Sequence, residues 1–317
     1  MPELHRQIFR RAHASHRSCS ADEWLMTPCR ARSGEPAAQP LVWSRRNGPW
    51  TRVRLLWVGA APGNAGSRGT GTLGAHGTRI PFGGDIAGGN LDVLFASIGL
   101  TRNDTFIVAA SNQLPARGGG EPTAAEIAQP VGAYPDSIAL LRDTVVATGP
   151  ELIVALGNVA LRALVAALTR ADAAAVGAAS RDVQPPRLPT VQRLSRAGFA
   201  RGAVAGWPHD LLPLAAGFRD AWRAAWKAEP APRVALLLHP SAQNMSPFAA
   251  PDTAFHRRML ETRDALVAAA VRVLGIAPPV PRPAIPTAGG IYDLREWRDR
   301  IAERHQRLDR LWRERGV

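Results

Sequence analysis

The sequence is poor in the residues that build disulfide scaffolds and metal clusters. Cys19 and Cys29 are the only cysteines among 317 residues. Two thiols form at most one disulfide, so a disulfide-stapled fold and an all-cysteine iron–sulfur cluster are both excluded within one chain. His13 and His16 lie close before them, and these four side chains are a candidate zinc site, although their spacing matches no common zinc motif. The alternative is that they occur in a basic tail without any metal.

Lysine is almost absent, yet the chain is strongly basic. Lys227 is the only lysine, so arginine supplies nearly all of a formal net charge of +13. A surplus of this size favours a polyanionic partner, because counterions released from phosphates drive binding. The alternative is compositional, since a GC-rich genome also encodes abundant arginine and alanine. We expect the partner to be DNA.

Long apolar runs are missing from the first forty residues. No stretch there is long enough for a signal peptide or a membrane helix, and Glu3, Asp22 and Glu23 argue against a transit peptide. We therefore expect a cytoplasmic protein, associated with a bacterial nucleoid. The hydrophobic content of 46% suits one large α/β domain with extensions.

Short apolar segments alternate with helical patterns along the centre of the chain. Strands are predicted at 55–59, 105–110, 152–156 and 234–238. Helices are predicted at 90–100, 159–168 and 253–274, and a further one begins at the capping box formed by Thr123 and Glu126. The apolar face predicted for the helix at 253–274 comprises Phe255, Leu260, Val267, Val271 and Leu274. This alternation predicts an α/β fold of three layers, α/β/α, around a central, mostly parallel, four-stranded sheet.

Composition divides the chain into three parts. Residues 1–44 form a basic extension, residues 45–277 form the α/β domain, and residues 278–317 form a linker and an amphipathic helix. An arginine-rich and partly helical insertion at about 169–232 is either a phosphate-binding lobe or a solvated surface loop. The C-terminal helix is expected to pack on the core or on a second copy of the chain, and membrane binding is the weaker alternative.

Three motifs in this order carry the functional signal. Gly59-Ala60-Ala61-Pro62-Gly63 ends the first strand and opens a glycine-rich loop, which closes with Pro81-Phe82-Gly83-Gly84-Asp85. His239-Pro240-Ser241-Ala242-Gln243-Asn244 follows the fourth strand. Together they resemble the uracil-DNA glycosylase superfamily, and most closely its fifth, broad-specificity family. The chain lacks that family's iron–sulfur cysteines, and Gln113 and Leu114 lie where one of them would fall.

The resemblance implies that Asp85 and His239 are the catalytic pair. Cleavage of an N-glycosidic bond develops positive charge on the sugar and negative charge on the departing base. A carboxylate stabilises the first and orients water, while a neutral imidazole donates a hydrogen bond to the second. The alternative for Asp85 is a helix N-cap, and the alternative for His239 is a hydrogen-bonded residue at a strand end.

The resemblance also implies a base pocket and a DNA-binding surface. Phe82 corresponds to the aromatic residue that stacks on the extruded base, with core packing as its alternative. Asn112 is a candidate amide reader of the base, although it stands three residues beyond the aligned Ala109. The remaining base-binding candidates are Ala60 and Ala61. The DNA-binding candidates are Pro62, Gly63, Asn64, Ser241, Asn244, Met245 and Phe248, of which Met245 and Phe248 are candidate wedges for the vacated base stack.

The function predicted from the sequence is hydrolytic release of uracil, and of other deaminated bases, from DNA after base flipping, with no cofactor. Two alternatives remain. One is a catalytically silent relative that binds damaged or single-stranded DNA. The other is a nucleotide-binding hydrolase, which is disfavoured because the glycine loop lacks a Gly-Lys-Ser/Thr ending.

Overall fold

The computed structural model describes residues 53–61, 82, 86–100, 105–111, 121–131, 133–169, 216–227, 231–241, 243–245 and 252–279. The predicted N-terminal extension, with its histidine and cysteine group, lies outside these residues. So do most of the basic insertion and the predicted C-terminal helix. Among the described residues, no helix has the length and apolar character needed to cross a membrane.

Four parallel strands form the central sheet of the described part of the chain. They are β1 (Leu55–Gly59), β2 (Phe106–Ala109), β3 (Leu152–Leu156) and β4 (Arg233–Leu237). Their spatial order is β2-β1-β3-β4. The register pairs Trp57 with Ile107 on one side and with Val154 on the other. All four predicted strands are confirmed, each within about a residue of its predicted ends.

Helices occupy both faces of this sheet. They are α1 (Ile86–Ser97), α2 (Ala124–Ile127), α3 (Ser137–Thr148), α4 (Gly157–Thr169), α5 (Ala216–Trp226) and α6 (Ala254–Ala269), and α6 continues into a π-helical turn at Ala270–Leu274. Strand residues alternate between two apolar clusters, as the two-residue period of a strand requires. Leu55 and Trp57 pack against α1 and α6. Leu56 and Val58 pack against α3, α4 and α5. The predicted three-layer α/β/α architecture is confirmed.

Local sequence signals fix several helix ends. The Thr123 hydroxyl accepts from the Glu126 amide while the Glu126 carboxylate accepts from the Thr123 amide, so the predicted capping box is present. It begins only the short helix α2. The longer helix α3 starts at its own N-cap, Asp136, whose carboxylate accepts from the Ala139 amide at 2.7 Å, and it ends at Gly149 with φ of 58°. Helix α3 was not predicted from the sequence.

Helix α1 begins earlier than predicted and ends as predicted. The four residues that set the predicted helical spacing are all buried: Leu91, Leu94 and Phe95 within the helix, and Ile98 directly after it. The amide of Gly99 donates to the carbonyl of Ala96, and the amide of Leu100 donates to that of Phe95. These two bonds form a Schellman motif, in which glycine adopts the left-handed conformation, here with φ of 68°.

The predicted apolar face of α6 is wrong at two positions. Phe255 is 41% exposed and Val271 is 46% exposed. Val267 and Leu274 are buried as predicted, and Met259 and Leu266, which were not predicted, are buried as well. Near its start, α6 buries His256 and Met259 rather than Phe255 and Leu260, and the π-helical turn changes the phase from Ala270 onward.

Helix α5 lies inside the segment predicted as a basic insertion, and it packs on the fold. Its Trp222 is buried, and the indole nitrogen of Trp226 donates to the carbonyl of Val146 in α3 at 2.5 Å. A Cβ atom on Gly149 would lie 2.2 Å from the Trp226 ring. The prediction that part of this segment is helical is therefore confirmed for α5.

Arg54 joins the first strand to two other elements at the amino edge of the sheet. Its guanidinium donates to both carboxylate oxygens of Glu151, at 2.8 and 3.3 Å, and to the carbonyl of Leu274. The hydrogen bond to Glu151 raises the pKa of Arg54, against the lowering effect of partial burial. The contacts tie the start of β1 to β3 and to the end of the π-helical turn.

The strand order places a topological switch between β1 and β3. From β1 the chain moves to β2 on one side, and then returns across β1 to place β3 and β4 on the other side. Ligands of open α/β sheets bind outside the carboxyl ends of the strands at such a switch. Gly59, Gly157 and His239 all lie at this edge.

Candidate active site

The end of β1 is held in register with the segment that follows β2. The amide of Ala110 donates to the carbonyl of Gly59 at 2.8 Å, and the amide of Ser111 donates to the carbonyl of Ala60 at 3.0 Å. Ala60 and Ala61 are half-buried. Two of the predicted base-binding residues therefore lie at the carboxyl edge, with small side chains and a fixed backbone.

Phe82 is the central aromatic residue of this edge. A Cβ atom added to Gly59 would lie 3.2 and 3.3 Å from two atoms of the Phe82 ring, so the ring packs directly over the end of β1. Its backbone has φ of 54°, in the left-handed region that a bulky side chain rarely adopts. Such strain occurs preferentially at functional sites, where the surrounding structure maintains it.

His239 stands two residues beyond the end of β4 and is half-buried. Its imidazole lies beside the Phe82 ring, with centroids 5.9 Å apart and planes inclined by 42°. Gly157, the first residue after β3, has φ of 85°, and a Cβ atom there would lie 3.3 Å from the His239 Cβ. The ends of β1, β3 and β4 therefore converge on one aromatic and one imidazole side chain.

The loop after His239 folds back as a helical turn. The amides of Asn244 and Met245 both donate to the carbonyl of Ser241, at 3.0 and 3.1 Å. The side-chain amide of Asn244 donates to the carbonyl of His239 at 3.0 Å. Asn244, predicted to contact DNA, therefore has a structural contact that closes the loop on the histidine. Ser241 is half-buried at the start of the same turn.

The position of Met245 contradicts the prediction that this residue is a DNA wedge. Its side chain is fully buried and belongs to the apolar cluster between the sheet and helices α1 and α6. A residue that anchors a loop in the core cannot at the same time intercalate into DNA, so the wedge predicted for Met245 is wrong in this conformation. Phe248 remains the other predicted wedge, and it lies outside the described residues.

Asn90 is a residue of this region that the sequence analysis missed. It is fully buried in α1, and its Nδ2 atom donates to the carbonyls of Pro240 and Met245, at 2.7 and 3.0 Å. The available signal was an amide side chain within the apolar stripe that contains Leu91 and Leu94. That signal alone does not identify the partner, which lies far along the sequence.

Several other predicted site residues lie outside the described residues. They are Asp85, Pro62, Gly63, Asn64, Asn112 and Phe248, together with the zinc candidates His13, His16, Cys19 and Cys29. Among the described residues, no group of three or more histidine, cysteine, aspartate or glutamate side chains could hold a metal ion. Asp85 directly precedes Ile86, the first residue of α1.

The described arrangement suits a planar ring with polar edges. An aromatic side chain offers a stacking surface, and an adjacent imidazole offers a hydrogen-bond donor or acceptor at the ring's edge. A family model described as the Uracil DNA glycosylase superfamily matches residues 46–262, more than half of the chain. The chain belongs to the uracil-DNA glycosylase superfamily. No curated protein matches the chain.

Membership of the uracil-DNA glycosylase superfamily supports a DNA glycosylase, a hydrolase of DNA repair whose substrate is DNA. The matched segment contains all four described strands and the His239 loop. The iron–sulfur cluster of the family's fourth and fifth branches does not fit this chain. Such a cluster needs four cysteine thiolates, and the 317 residues contain two cysteines.

A basic residue lies next to the histidine loop. The guanidinium of Arg258, on α6, donates to the carbonyl of Asn244 at 3.4 Å and lies 5.9 Å from the centroid of the exposed Phe255 ring. Arg258 is itself exposed. This glycosylase-superfamily chain therefore carries positive charge at the surface beside its candidate active site.

Proposed function

We propose that this protein is a monofunctional DNA glycosylase that releases uracil and other deaminated bases from DNA. The observation that supports this most directly is the contact of Phe82 with His239 at the topological switch of a uracil-DNA glycosylase-superfamily fold. Because the proposed substrate is chromosomal DNA, we expect the protein in the cytoplasm with the nucleoid.

In the proposed mechanism the target nucleotide leaves the base stack and its base stacks on Phe82. The bond between the base nitrogen and the anomeric carbon breaks, and the electron pair stays on the base. The imidazole of His239 donates a hydrogen bond to the base oxygen on which negative charge develops. Asp85, directly before α1, stabilises the sugar cation and orients the water that attacks the anomeric carbon. The products are the free base, which takes up one proton, and an abasic site that gains the hydroxyl group.

We propose a broad substrate range and therefore a place closest to the fifth family. Ala60 and Ala109 stand where the family resemblance places polar side chains in stricter relatives, and the carbonyl of Ala60 already accepts from the Ser111 amide. Without a polar side chain at these two positions, the pocket has no side-chain donor or acceptor there that another base would leave unpaired, so it rejects other bases less strongly. Uracil, hypoxanthine and xanthine all leave as stabilised anions, so all three are expected substrates. Whether Asn112 reads the base is part of the test.

The test is single-turnover cleavage of labelled oligonucleotides that differ only in one base: uracil, hypoxanthine or xanthine. Abasic sites are converted to strand breaks with hot alkali. We expect release of all three bases, and strand breaks only after alkali, since a bifunctional enzyme would nick the strand without it. If the protein instead strictly preferred uracil and Asn112→Ala abolished that preference, the Asn112 amide would read the base and the proposed broad range would be wrong.

The catalytic pair is tested with Asp85→Asn and His239→Ala, each expected to slow base release by ~10²-fold or more. Asp252→Asn is the matched control, because Asp252 is exposed before α6. Wild-type rates in both catalytic variants would refute the assignment of the pair. Binding of damaged DNA by the wild-type protein without any base release would instead favour a catalytically silent relative.

A further inference from the structure

A buried amide connects the first helix to the histidine loop. Asn90 is fully buried in α1, and its single side-chain nitrogen donates to the carbonyl of Pro240 at 2.7 Å and to that of Met245 at 3.0 Å. These two carbonyls bracket the helical turn that starts at Ser241. One side chain therefore holds both ends of the turn.

The two segments joined by Asn90 carry the two proposed catalytic groups. Helix α1 begins at Ile86, directly after Asp85. The turn held by Asn90 starts at Ser241, two residues after His239, and its Asn244 donates to the His239 carbonyl at 3.0 Å. The path from the helix to the histidine thus consists of Asn90, the turn and Asn244.

Among uncharged side chains, only an amide can make this contact. An NH₂ group has two hydrogens on one nitrogen, so it satisfies two carbonyls at once, which neither a hydroxyl nor a carboxylate does. The Oδ1 atom of Asn90 is buried without a hydrogen-bond partner among the described residues. A buried polar atom without a partner is unfavourable, and the two bonds donated by the side-chain nitrogen offset part of that cost.

We propose that Asn90 is a positioning residue that fixes His239 relative to the helix that follows Asp85. It contacts neither the base nor the sugar, and acts through the turn at Ser241. This proposal rests on the proposed function, since its effect on rate depends on His239 polarising the leaving base. Small displacements of a catalytic group can slow a reaction strongly, because the reacting geometry is narrow.

The experiment compares Asn90→Leu, which has a similar volume and no donors, with Ser97→Ala in the same helix. Ser97 is also buried, but its hydroxyl donates only to the carbonyl of Leu94 within α1. Each variant is also made in the His239→Ala background. We expect Asn90→Leu to slow single-turnover uracil release by ~10-fold or more in the wild-type background and by less than about twofold without His239. Ser97→Ala should leave the rate unchanged.

Hydrogen exchange provides a measurement that does not depend on activity. The amides of Asn244 and Met245, which donate to Ser241, should exchange faster in Asn90→Leu and at the wild-type rate in Ser97→Ala. If Asn90→Leu does not fold, Asn90→Ser replaces it in both measurements, because serine keeps one donor in a smaller side chain. Equal slowing with and without His239, or unchanged exchange at the two amides, would overturn the positioning role. Absence of base release by the wild-type protein would refute the proposed function alone, and the exchange rates would then decide the role of Asn90.

Discussion

The ring of Phe82 and the imidazole of His239 are in contact, with centroids 5.9 Å apart, although the two residues lie far apart in the sequence. Phe82 lies in the connection that leaves β1, and His239 follows β4. Gly59 lies beneath the Phe82 ring and Gly157 beside the His239 Cβ. A glycine therefore lies against each of the two side chains, so a methyl group added at either glycine would press on its neighbour and change the spacing of the rings.

Gly59→Ala should weaken base binding more than it lowers stability. The added methyl group would lie 3.2 Å from the Phe82 ring, so the ring must shift. We expect an increase of up to about 10-fold in KM, a part of the roughly 1–3 kcal/mol that base stacking contributes. The measurement is steady-state kinetics with thermal unfolding as control. In a Phe82→Leu background the same change should have little further effect, and an undiminished effect there would show that the methyl group acts elsewhere.

Asn244→Ala should slow base release by roughly 2- to 10-fold, as expected for one lost hydrogen bond of about 0.5–1.5 kcal/mol. The reason is that the carbonyl of His239 loses the donor that lies 3.0 Å away. Gln243→Ala is the matched control, because Gln243 is exposed in the same turn. Comparison of kcat/KM on single-stranded and duplex substrates separates this role from DNA contact. A loss confined to duplex DNA would favour the phosphate contact predicted from the sequence.

Met245→Ala should destabilise the fold by about 2–5 kcal/mol, as is usual when a buried methionine is truncated. Met245→Leu should be nearly neutral, since it conserves volume. Chemical denaturation measures both, with Met259→Ala as a second fully buried methionine for comparison. The alanine variant, assayed where it remains folded, should also keep the wild-type ratio of duplex to single-strand cleavage, because alanine lacks the bulk of an apolar wedge. A selective loss of duplex cleavage would restore the wedge role for this residue.

Arg258→Gln should reduce the dependence of DNA binding on salt. A guanidinium that neutralises one phosphate contributes ~0.9 to the slope of log K against log salt concentration on duplex DNA, and we expect the slope to fall by about that amount. Arg272→Gln carries the same change of charge at an exposed position near the far end of the helical segment, roughly 21 Å away at 1.5 Å per residue. If both variants and the wild type showed the same salt slope, the phosphate contacts would be made by other arginines.

Much of the fold follows from local patterns in the sequence. The run Leu152–Leu156 is apolar, short and β-branched in part, and it forms β3 over the predicted bounds. The capping box at Thr123 is present, but a capping box does not encode helix length, and α2 ends after one turn. Helix α3 was not predicted although Asp136 and Gly149 cap it, because the buried face of α3 includes polar residues such as Thr144 and obscures the apolar period.

The site was less accessible to prediction than the strands. His239 and Phe82 were identified through motifs, and the structure brings both to one edge. The contacts of Asn90 and the burial of Met245 depend on how distant segments pack, which no local period in the sequence encodes. Asp85 and Asn112 lie outside the described residues, so their roles remain predictions from the sequence.

Gly157 offers a marker for reading related sequences. Its backbone has φ of 85°, and a side chain there would press on the Cβ of His239. A relative with a bulky residue directly after its third strand would therefore have to hold its histidine elsewhere, whatever its other motifs. A glycine at that position, read together with the histidine two residues past the fourth strand, would distinguish chains able to build this site from chains that share only the sheet.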